Sequence, residues 1–483
     1  MKIKNTIFYI TLCVVILGCN PQHSTSIDEE ISIIENSLIR GNVIKGREPK
    51  SFSIFERMQF HNVPGVSIAI VRDGKIRWAK GYGIANTNDS TLVNSKTLFQ
   101  AGSISKPIAA LAVLKLVEDK NIDIDEDVNT YLTSWKVPEN KFTEKERVTL
   151  RKLMSHTAGV TVHGFRGYKP NEIFPTNEQV LNGEGNSNKV TIDTIPGSIW
   201  RYSGGGYTIM ETAVEDMSGL PFEEYMLKKV LEPIGMDNST FDQPLKPLNY
   251  SNVSAAYDSA GKLIDGLYHN YPEQAAAGLW TTSTDLAKYC IEIQEIAKGK
   301  SDGILTKQTV DMMLTKHQND WGLGPSLKGD VDSLIFQHGG KNAGFTNNFY
   351  ANVHTGDAVV VMTNADNGKK LIDEIVRAVC RYYELDFIDS PNPFHMERLS
   401  EQELSRFEGQ YKLLRTGREL TVNIKRENGL LVFTGENIPR PAEFIPLNDY
   451  EFFDLENGNK VTFEINSDTI NFLFNNRLQF YKK

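Results

Sequence analysis

The chain has 483 residues, of which 40% are hydrophobic and 23% are charged, which is ordinary for a globular protein and long enough for a large domain with a smaller one. The formal net charge of −9 at pH 7 argues against a nucleic-acid partner. Function must then lie in local motifs rather than in overall charge.

The first residues have the pattern of a bacterial lipoprotein secretion signal. Lys2 and Lys4 precede an apolar run that extends through Leu17, and Gly18-Cys19 follows directly. Cleavage before Cys19 would leave it as a lipidated N-terminus, whereas the alternative is an ordinary signal peptide with an incidental cysteine. We expect a signal peptide at 1–18, a tether at 19–50, and a membrane-anchored protein of the bacterial cell envelope.

A helix and a β-hairpin are the first predicted elements of the folded body. The helix is expected around Phe52 to Phe60. Two β-rich runs, VSIAIVR and KIRWAKGYG, are joined by Asp73-Gly74, a dipeptide that favours the tight turns of hairpins. We therefore expect an antiparallel pair of strands before the first reactive motif.

A serine and a lysine three residues apart begin the next predicted helix. Ser103 and Lys106 come at the start of a segment that is apolar on every side from Pro107 to Leu114, and such a helix is buried. Residues three apart are neighbours on a helix, and a buried lysine of lowered pKa can activate a serine. This S-x-x-K pattern predicts nucleophilic catalysis, and the alternative is an N-cap serine with a solvated lysine.

Helical patterns alternate with long loops over residues 128–314. LRKLMSHTAG closes in a turn, and because the chain has no G-x-S-x-G motif we interpret its His156 as a turn residue bonded to the backbone. Neither H-E-x-x-H nor a cysteine-pair zinc pattern occurs, so no metal or other cofactor is expected. Cys290 and Cys380 lie in separate helical patterns and are interpreted as two buried thiols, with a single bridge as the alternative.

A tyrosine followed by three consecutive glycines forms the second candidate motif. Gly204 to Gly206 precede a predicted helix that stops near Gly219, and glycine permits positive φ and close backbone approach. Tyr202 would thus be presented from a tight turn into a cleft. A tyrosine beside a lysine can carry a proton between nucleophile and leaving group, whereas the alternative is a core tyrosine with a satisfied hydroxyl.

The pattern changes to strands after Trp321. His338-Gly339-Gly340 is expected to end one strand, and paired glycines there indicate that something other than a side chain approaches the strand edge. Exposed N–H groups at that edge could stabilise an oxyanion, and the alternative is a β-bulge. A closing helix from Lys369 to Leu385 ends the main domain.

A small all-β domain is predicted at the C-terminal end of the sequence. Residues 406–483 contain about eight short β-type runs separated by polar turns, a spacing typical of an antiparallel barrel or sandwich. The Ser-Pro-Asn-Pro run near position 390 indicates a linker. We therefore place the main domain at 51–388, the linker at 389–405 and the β-barrel-like domain at 406–483.

Taken together, the three motifs resemble those of the serine β-lactamase and penicillin-binding-protein-like hydrolases, the relatives of class C β-lactamases. Ser103-x-x-Lys106, Tyr202-Ser203-Gly204 and His338-Gly339-Gly340 follow in the family's order, and the SHTAG and AAGLWTT segments are similar too. The resemblance covers roughly residues 50–388, and the C-terminal part resembles β-barrel appendages of some members. It implies an α+β fold: an antiparallel sheet, from the Val66–Gly83 hairpin and the Leu334–Thr363 strands, with helices and a helical subdomain.

The resemblance also implies roles for individual residues. Ser103 would be acylated, while Lys106 and Tyr202 would move its proton. The backbone N–H groups of Ser103 and Lys341 would form the oxyanion hole, next to Gly339 and Gly340. His338 would occupy the place where the family's third motif often has lysine, so a fixed positive charge for a substrate carboxylate is not expected there.

Two functions remain open at this level. The first is a serine hydrolase that cleaves an ester or amide through an acyl-enzyme, D-peptidase-like (a carboxypeptidase, for example) or esterase-like. Weak β-lactamase activity at most is expected, because Gly204 lacks the amide of the family's Tyr-x-Asn motif. The second is a surface lipoprotein that binds penicillin or wall peptides with little or no turnover. Either would take a small-molecule or peptide partner.

Overall fold

The computed structural model describes residues 26–246, 250–301, 303–415, 418–436, 438–466 and 469–483. The predicted secretion signal and Cys19 lie outside these residues and stay predictions. Within the described part, none of the helices combines the length and the apolar character needed to cross a bilayer.

Helices form where apolar residues recur at helical spacing behind a capping side chain. Ser53, for example, makes a reciprocal capping box with Glu56 at the start of the second helix. The described helices are α1 (Ile27–Glu35), α2 (Ile54–His61), α3 (Ser105–Lys120), α4 (Leu150–Met154), α5 (Asn177–Asn182), α6 (Gly204–Ser218), α7 (Phe222–Met226), α8 (Glu232–Ile234), α9 (Ser283–Ala297), α10 (Lys307–Met313), α11 (Gly368–Tyr383) and α12 (Glu401–Ser405).

Strands divide between a central sheet, two short pairs and a C-terminal barrel. The described strands are β1 (Asn42–Ile44), β2 (Gly65–Arg72), β3 (Lys75–Asn86), β4 (Thr91–Leu92), β5 (Phe99–Gln100), β6 (Trp280–Thr281), β7 (Ser326–Lys328), β8 (Ile335–Asn342), β9 (Phe345–Asn352), β10 (Ala358–Thr363), β11 (Asn392–Phe394), β12 (Gly409–Arg415), β13 (Arg418–Glu427), β14 (Leu430–Gly435), β15 (Ile438–Pro446), β16 (Glu451–Asp454), β17 (Lys460–Ile465), β18 (Ile470–Phe474) and β19 (Leu478–Lys482).

The central sheet is antiparallel and runs in the order β4-β3-β2-β10-β9-β8-β7. The predicted hairpin is β2-β3, and Asp73 and Gly74 both adopt positive φ in its turn, as a tight hairpin of this type requires. β10 is buried along its whole length, because helices cover both faces of the sheet. The sheet is thus a rigid layer with β8 close to its edge.

Two apolar cores lie on opposite faces of this sheet. One contains α2 and α11, and the other contains α3, α6 and α9. α3 is buried on every side from Pro107 to Leu114, as its apolar sequence predicted. Cys290 belongs to one core and Cys380 to the other, so the sheet separates them and both are free thiols.

The expected tether and linker are partly folded. Ile34 of α1 and Leu38 are buried in the α11 core, and β1 pairs in parallel with β11. α12 places Leu404 in the barrel core. Short segments on either side of the main domain therefore pair with each other, a contact that neither segment reveals alone.

The C-terminal domain is a closed antiparallel barrel of eight strands, β12 to β19. Neighbouring strands pair in sequence, and β19 closes the barrel on β12. Side chains that alternate along each strand give an aromatic interior, which is the reason for the period-two pattern in the sequence. Of the two all-β forms expected, the structure has the barrel.

Candidate active site

Ser103 and Lys106 come together at the start of α3. Ser103 lies in a single 3₁₀ turn, Gly102–Ile104, and Lys106 in the first turn of α3. Lys106 Nζ lies 3.1 Å from Ser103 Oγ and donates to the Ala276 carbonyl at 2.7 Å. The residue at the N-cap of α3 is Ile104, so Ser103 does not act as the helix cap.

The Lys106 amine is poised to act as a base. Its side chain is 2% exposed, and burial lowers the pKa of its amine from 10.5 to about 7. The rings of Tyr202 and Tyr207 lie 4.9 and 5.6 Å from Nζ. A large fraction of the amine is therefore neutral at physiological pH and can accept the proton of Ser103.

Tyr202 lies two residues before Gly204, the first residue of α6. The Ser203 side chain caps this helix, accepting from the Gly206 N–H at 3.1 Å and donating to the Thr161 carbonyl at 2.7 Å. The cap fixes the backbone on which Tyr202 is carried. Tyr202 is thus held at a helix start that is anchored to the neighbouring loop.

The three glycines have a different role from the predicted one. They lie in the first turn of α6 with helical backbone angles, so the prediction that they precede the helix and supply positive φ is wrong. A Cβ at Gly204 would lie 2.9 Å from the Phe165 ring, and one at Gly205 would lie 2.8 Å from the Thr161 carbonyl oxygen. Their small size lets the Thr161–Phe165 loop pack directly against the helix.

The Tyr202 hydroxyl is buried next to the serine and lysine. Burial raises its pKa above the usual 10, and the Ser103 hydroxyl acts in the opposite direction. The oxygen has no hydrogen-bond partner among the described residues. It is therefore a protonated phenol whose proton is available to a bound substrate, rather than the satisfied core hydroxyl of the alternative reading.

His156 supports Tyr202 from behind. Its Nδ1 accepts the Ser203 backbone N–H at 3.1 Å, and its ring lies 4.3 Å from that of Tyr202. Burial lowers its pKa well below the ordinary value, so the ring is neutral. Trp200 and Trp321 complete this aromatic enclosure. The sequence did not predict this enclosure. Trp200 and Tyr202, on either side of Arg201, were the only local indication of it.

His338 lies in the middle of β8, which continues to Asn342 instead of ending at the glycines as predicted. Its Nδ1 is 2.6 Å from the Gly339 carbonyl oxygen, and its ring faces Tyr202 at 6.2 Å. Burial and the charge of Lys106 lower the pKa of His338 to about 3. It therefore supplies no positive charge to a substrate at neutral pH.

Gly340 and Gly102 allow β8 to lie against the serine turn. A Cβ at Gly340 would overlap the Ala101 carbonyl oxygen, and one at Gly102 would lie 2.6 Å from the Lys341 backbone nitrogen. Gly102 also has a φ of +57°, which L-residues with side chains rarely adopt. The Lys341 amide is thereby held beside the nucleophile. The sequence predicted that something other than a side chain approaches β8 at its glycines. At Gly340 it is the backbone of Ala101, next to the turn that carries Ser103.

A cleft of about 480 Å³ opens over these residues. Ser103, Lys106, Tyr202 and Lys341 line it, whereas His338 is buried behind Tyr202. Residues that sequence reasoning did not single out also line it: Arg166, Tyr271, Asn342 and Asp366. The sequence gives no motif or periodic pattern that would predict Arg166 as a cleft residue, because it lies in a long irregular loop.

A group of potential metal ligands lies away from the cleft. Within the described residues, His61, Glu374 and Glu456 have ligand atoms that all lie within 4.8 Å of one another. Arg57 donates to both Glu374 oxygens at 2.6 and 2.7 Å and also to Glu456. The carboxylates are already paired with a cation, and we propose no metal there.

Sequence comparisons give a family match and distant curated relatives. The Beta-lactamase family model matches residues 53–379. The chain is 22% identical over 320 residues to Protein flp of Staphylococcus aureus strain N315, and 25% identical over 258 residues to the Putative penicillin-binding protein PbpX of Bacillus subtilis strain 168. These alignments cover 64% and 53% of this chain, which spans only 61% and 60% of the relatives' length.

Solved structures share the fold over most of the chain. An octameric penicillin-binding protein homologue from Pyrococcus abyssi matches with a TM-score of 0.62 and 24% identity, over 89% of this chain and 98% of that chain. SurE in complex with D-Leu matches with a TM-score of 0.55 and 20% identity, over 89% and 97%. At these identities the likeness concerns the fold.

Proposed function

Because this chain belongs to the Beta-lactamase family, whose members are serine hydrolases, we propose that it cleaves an ester or amide through an acyl-enzyme on Ser103. The observation that carries the proposal is the 3.1 Å contact between Lys106 Nζ and Ser103 Oγ, made by an amine whose pKa is about 7. A general base must be within hydrogen-bond reach of its proton and have a pKa near the working pH. Lys106 meets both requirements.

The proposed reaction has two halves. Lys106 takes the Ser103 proton as Oγ attacks the substrate carbonyl, and the N–H groups of Ser103 and Lys341 stabilise the oxyanion. Tyr202 gives its proton to the departing alcohol or amine, and the Lys106 ammonium replaces that proton. Water then attacks the acyl carbonyl and gives a proton to Lys106. The Lys106 ammonium returns this proton to Ser103 Oγ as the ester bond breaks and the product acid is released.

Two missing groups in the site, a fixed positive charge and a side-chain amide, bear on the substrate class. His338 is neutral, and Gly204 provides no side-chain amide to hold a substrate amide. Both features support a D-peptidase-like or esterase-like activity, with weak β-lactamase activity at most. Lys341 donates to the Asp366 backbone carbonyl at 3.0 Å at the cleft edge, so part of its positive charge is already engaged.

Intact-mass labelling tests this proposal. The chain is incubated with nitrophenyl esters, D-peptides and a penicillin, and the donor that leaves an adduct identifies the chemistry. Ser103→Ala should lose the adduct and the hydrolysis of activated esters. Ser259→Ala is the matched control, since Ser259 belongs to a second S-x-x-K sequence that lies in an exposed turn. Unchanged hydrolysis in Ser103→Ala would remove that serine from the proposed role.

The second candidate is a surface protein that binds penicillin or wall peptides with little turnover. The missing amide at Gly204 favours it, because deacylation also requires a firmly held acyl group. The two candidates differ in the lifetime of the adduct. An adduct that decays within minutes and releases product supports the hydrolase, whereas one that persists for hours supports the binding protein.

A further inference from the structure

A cavity of about 1010 Å³ lies at the mouth of the C-terminal barrel, where the barrel meets the main domain. At the closed end the barrel is filled by Phe407, Phe452 and Phe463, which pack ring against ring. Phe433, Phe444, Phe472 and Phe480 also pack ring against ring and border the cavity from the barrel side. Leu420, Val422, Ile438 and Ala442 add to this apolar side, and Phe60 faces it from the main domain.

This cavity is distinct from the catalytic cleft. The turn between β10 and α11 lies between the two, because Asp366 lines the cleft and Asn367 lines the cavity. The mouth of the barrel faces α2 and the start of α11. Arg440 fixes this arrangement, since its guanidinium donates to the Gln59 carbonyl at 3.0 Å and to Asn62 Oδ1 at 2.9 Å.

Positive charge surrounds the mouth. The cations that line the cavity are Arg40, Lys50, Lys369, Lys370 and Arg440, and the carboxylates are Glu443, Asp454 and Glu456. Arg40 is paired with Glu456 and Lys369 with Asp373. Lys50 and Lys370 are exposed and form no ion pair with a carboxylate of the described residues. Lys370 Nζ donates to the uncharged Asn457 Oδ1 at 2.6 Å. The positive charges of both lysines are therefore not offset by a carboxylate of the described residues and can attract an anion.

We propose that the barrel binds a long-chain carboxylate, such as a fatty acid, with its tail in the apolar cavity and its carboxylate at Lys50 and Lys370. An eight-stranded barrel can hold one small ligand, and apolar cavities of this size favour apolar ligands over water. Each buried methylene contributes to affinity, while the two lysines select an anionic head group. This site does not depend on the hydrolase activity.

The tail position is tested with cis-parinaric acid, a fluorescent fatty acid, titrated into the delipidated full chain. We expect saturable binding of one molecule per chain. Ala442→Trp, which would fill the cavity opposite Phe433, should weaken binding at least tenfold. Tyr481→Trp, on the exposed outer surface of the barrel, is the matched control and should bind as the parent does. Circular dichroism establishes that each variant is folded.

The head-group position is tested with the Lys50→Ser/Lys370→Ser double variant, whose changes are at exposed sites. It should bind cis-parinaric acid about tenfold more weakly and bind the methyl ester as the parent does. Non-saturable binding, binding unaffected by Ala442→Trp, or equal binding of the acid by the double variant would each overturn the proposal. Ser103→Ala should bind as the parent does, so failure of the hydrolase proposal would be seen separately.

Discussion

Burial lowers the pKa of Lys106 to about 7 and contributes to the pKa of about 3 for His338, so at neutral pH the lysine is partly uncharged and the histidine is uncharged. For Lys106 this creates a base, since a neutral amine next to Ser103 can accept a proton. For His338 it removes the cation that a third-motif lysine would supply. Lowered pKa values thus make Lys106 a candidate base and His338 an uncharged residue behind Tyr202.

The pH dependence of turnover should report the Lys106 amine. Hydrolysis of an activated ester should rise with pH through an acid limb near 7, because Lys106 must be neutral to act as base. Lys106→Arg, which stays protonated, should reduce kcat/KM by roughly 10²- to 10⁴-fold. The measurement is a profile of kcat/KM from about pH 5 to about pH 9, a range centred on the pKa of Lys106.

His163 provides the control for that profile, since it is an exposed histidine in the same cleft. His163→Gln should retain the acid limb. If the limb disappears in His163→Gln and persists in Lys106→Arg, the titrating group is the histidine and Lys106 is not the base.

At the scale of elements, the site depends on how closely β8 approaches the turn that carries Ser103. That approach requires two residues without side chains, Gly340 on the strand and Gly102 on the turn. The neighbouring Gly339 faces the other side of β8, where a Cβ would lie 3.3 Å from the flexible Asn348 side chain. A side chain should therefore be tolerated at Gly339 and not at Gly340.

Gly340→Ala should move β8 away from Ala101 and displace the Lys341 amide from the oxyanion position. We expect kcat/KM to fall about 100-fold, because a shift of roughly 1 Å has that effect. The free energy of unfolding should fall by about 1–3 kcal/mol from overpacking. Ester hydrolysis and thermal melting measure the two effects. Gly339→Ala should change both far less, and equal losses in the two variants would contradict this account.

At the scale of the whole molecule, a buried charge network joins the barrel to the main domain. Arg57 on α2 is paired with Glu374 on α11 and with Glu456 in the barrel. Burial alone would raise the pKa of Glu374, but the hydrogen bonds and charges of His61 and Arg57 outweigh it and hold that pKa below its ordinary value. The network couples the docking of the barrel to the stability of α2 and α11.

Arg57→Met should lower the free energy of unfolding by about 3–5 kcal/mol, because it removes the arginine from the buried Glu374 carboxylate and leaves Glu456 paired with Arg40 alone. Urea unfolding measures the loss. Arg151→Met, which breaks a more exposed pair with Asp125, should cost no more than about 1 kcal/mol. The combined replacement of Arg57, Glu374 and Glu456 by Met should recover most of the stability. If the triple variant is as unstable as Arg57→Met, the loss of stability comes from altered side-chain packing and not from unpaired buried charge.

Much of the fold could be read from local patterns, and the predicted β-lactamase/transpeptidase fold is confirmed. The Asp73-Gly74 hairpin, the all-apolar α3 and the regularly spaced strands of the barrel are set by periodicity and turn chemistry over a few residues. The S-x-x-K spacing likewise brings Ser103 and Lys106 together within one helical turn. These features depend on near neighbours in the chain.

The rest was decided by contacts between distant residues. Lys106 bonds to Ala276, 170 positions away, and its lowered pKa comes from burial that no local pattern encodes. The function of Gly340 is set by Ala101, and the barrel mouth faces α2 because Arg440 bonds to that helix. The sequence by itself determined which elements form and which reactive side chains share a turn. Tertiary packing decided their charge, their separation and the cavities between them, because solvent exclusion and long-range contact exist only in the folded chain.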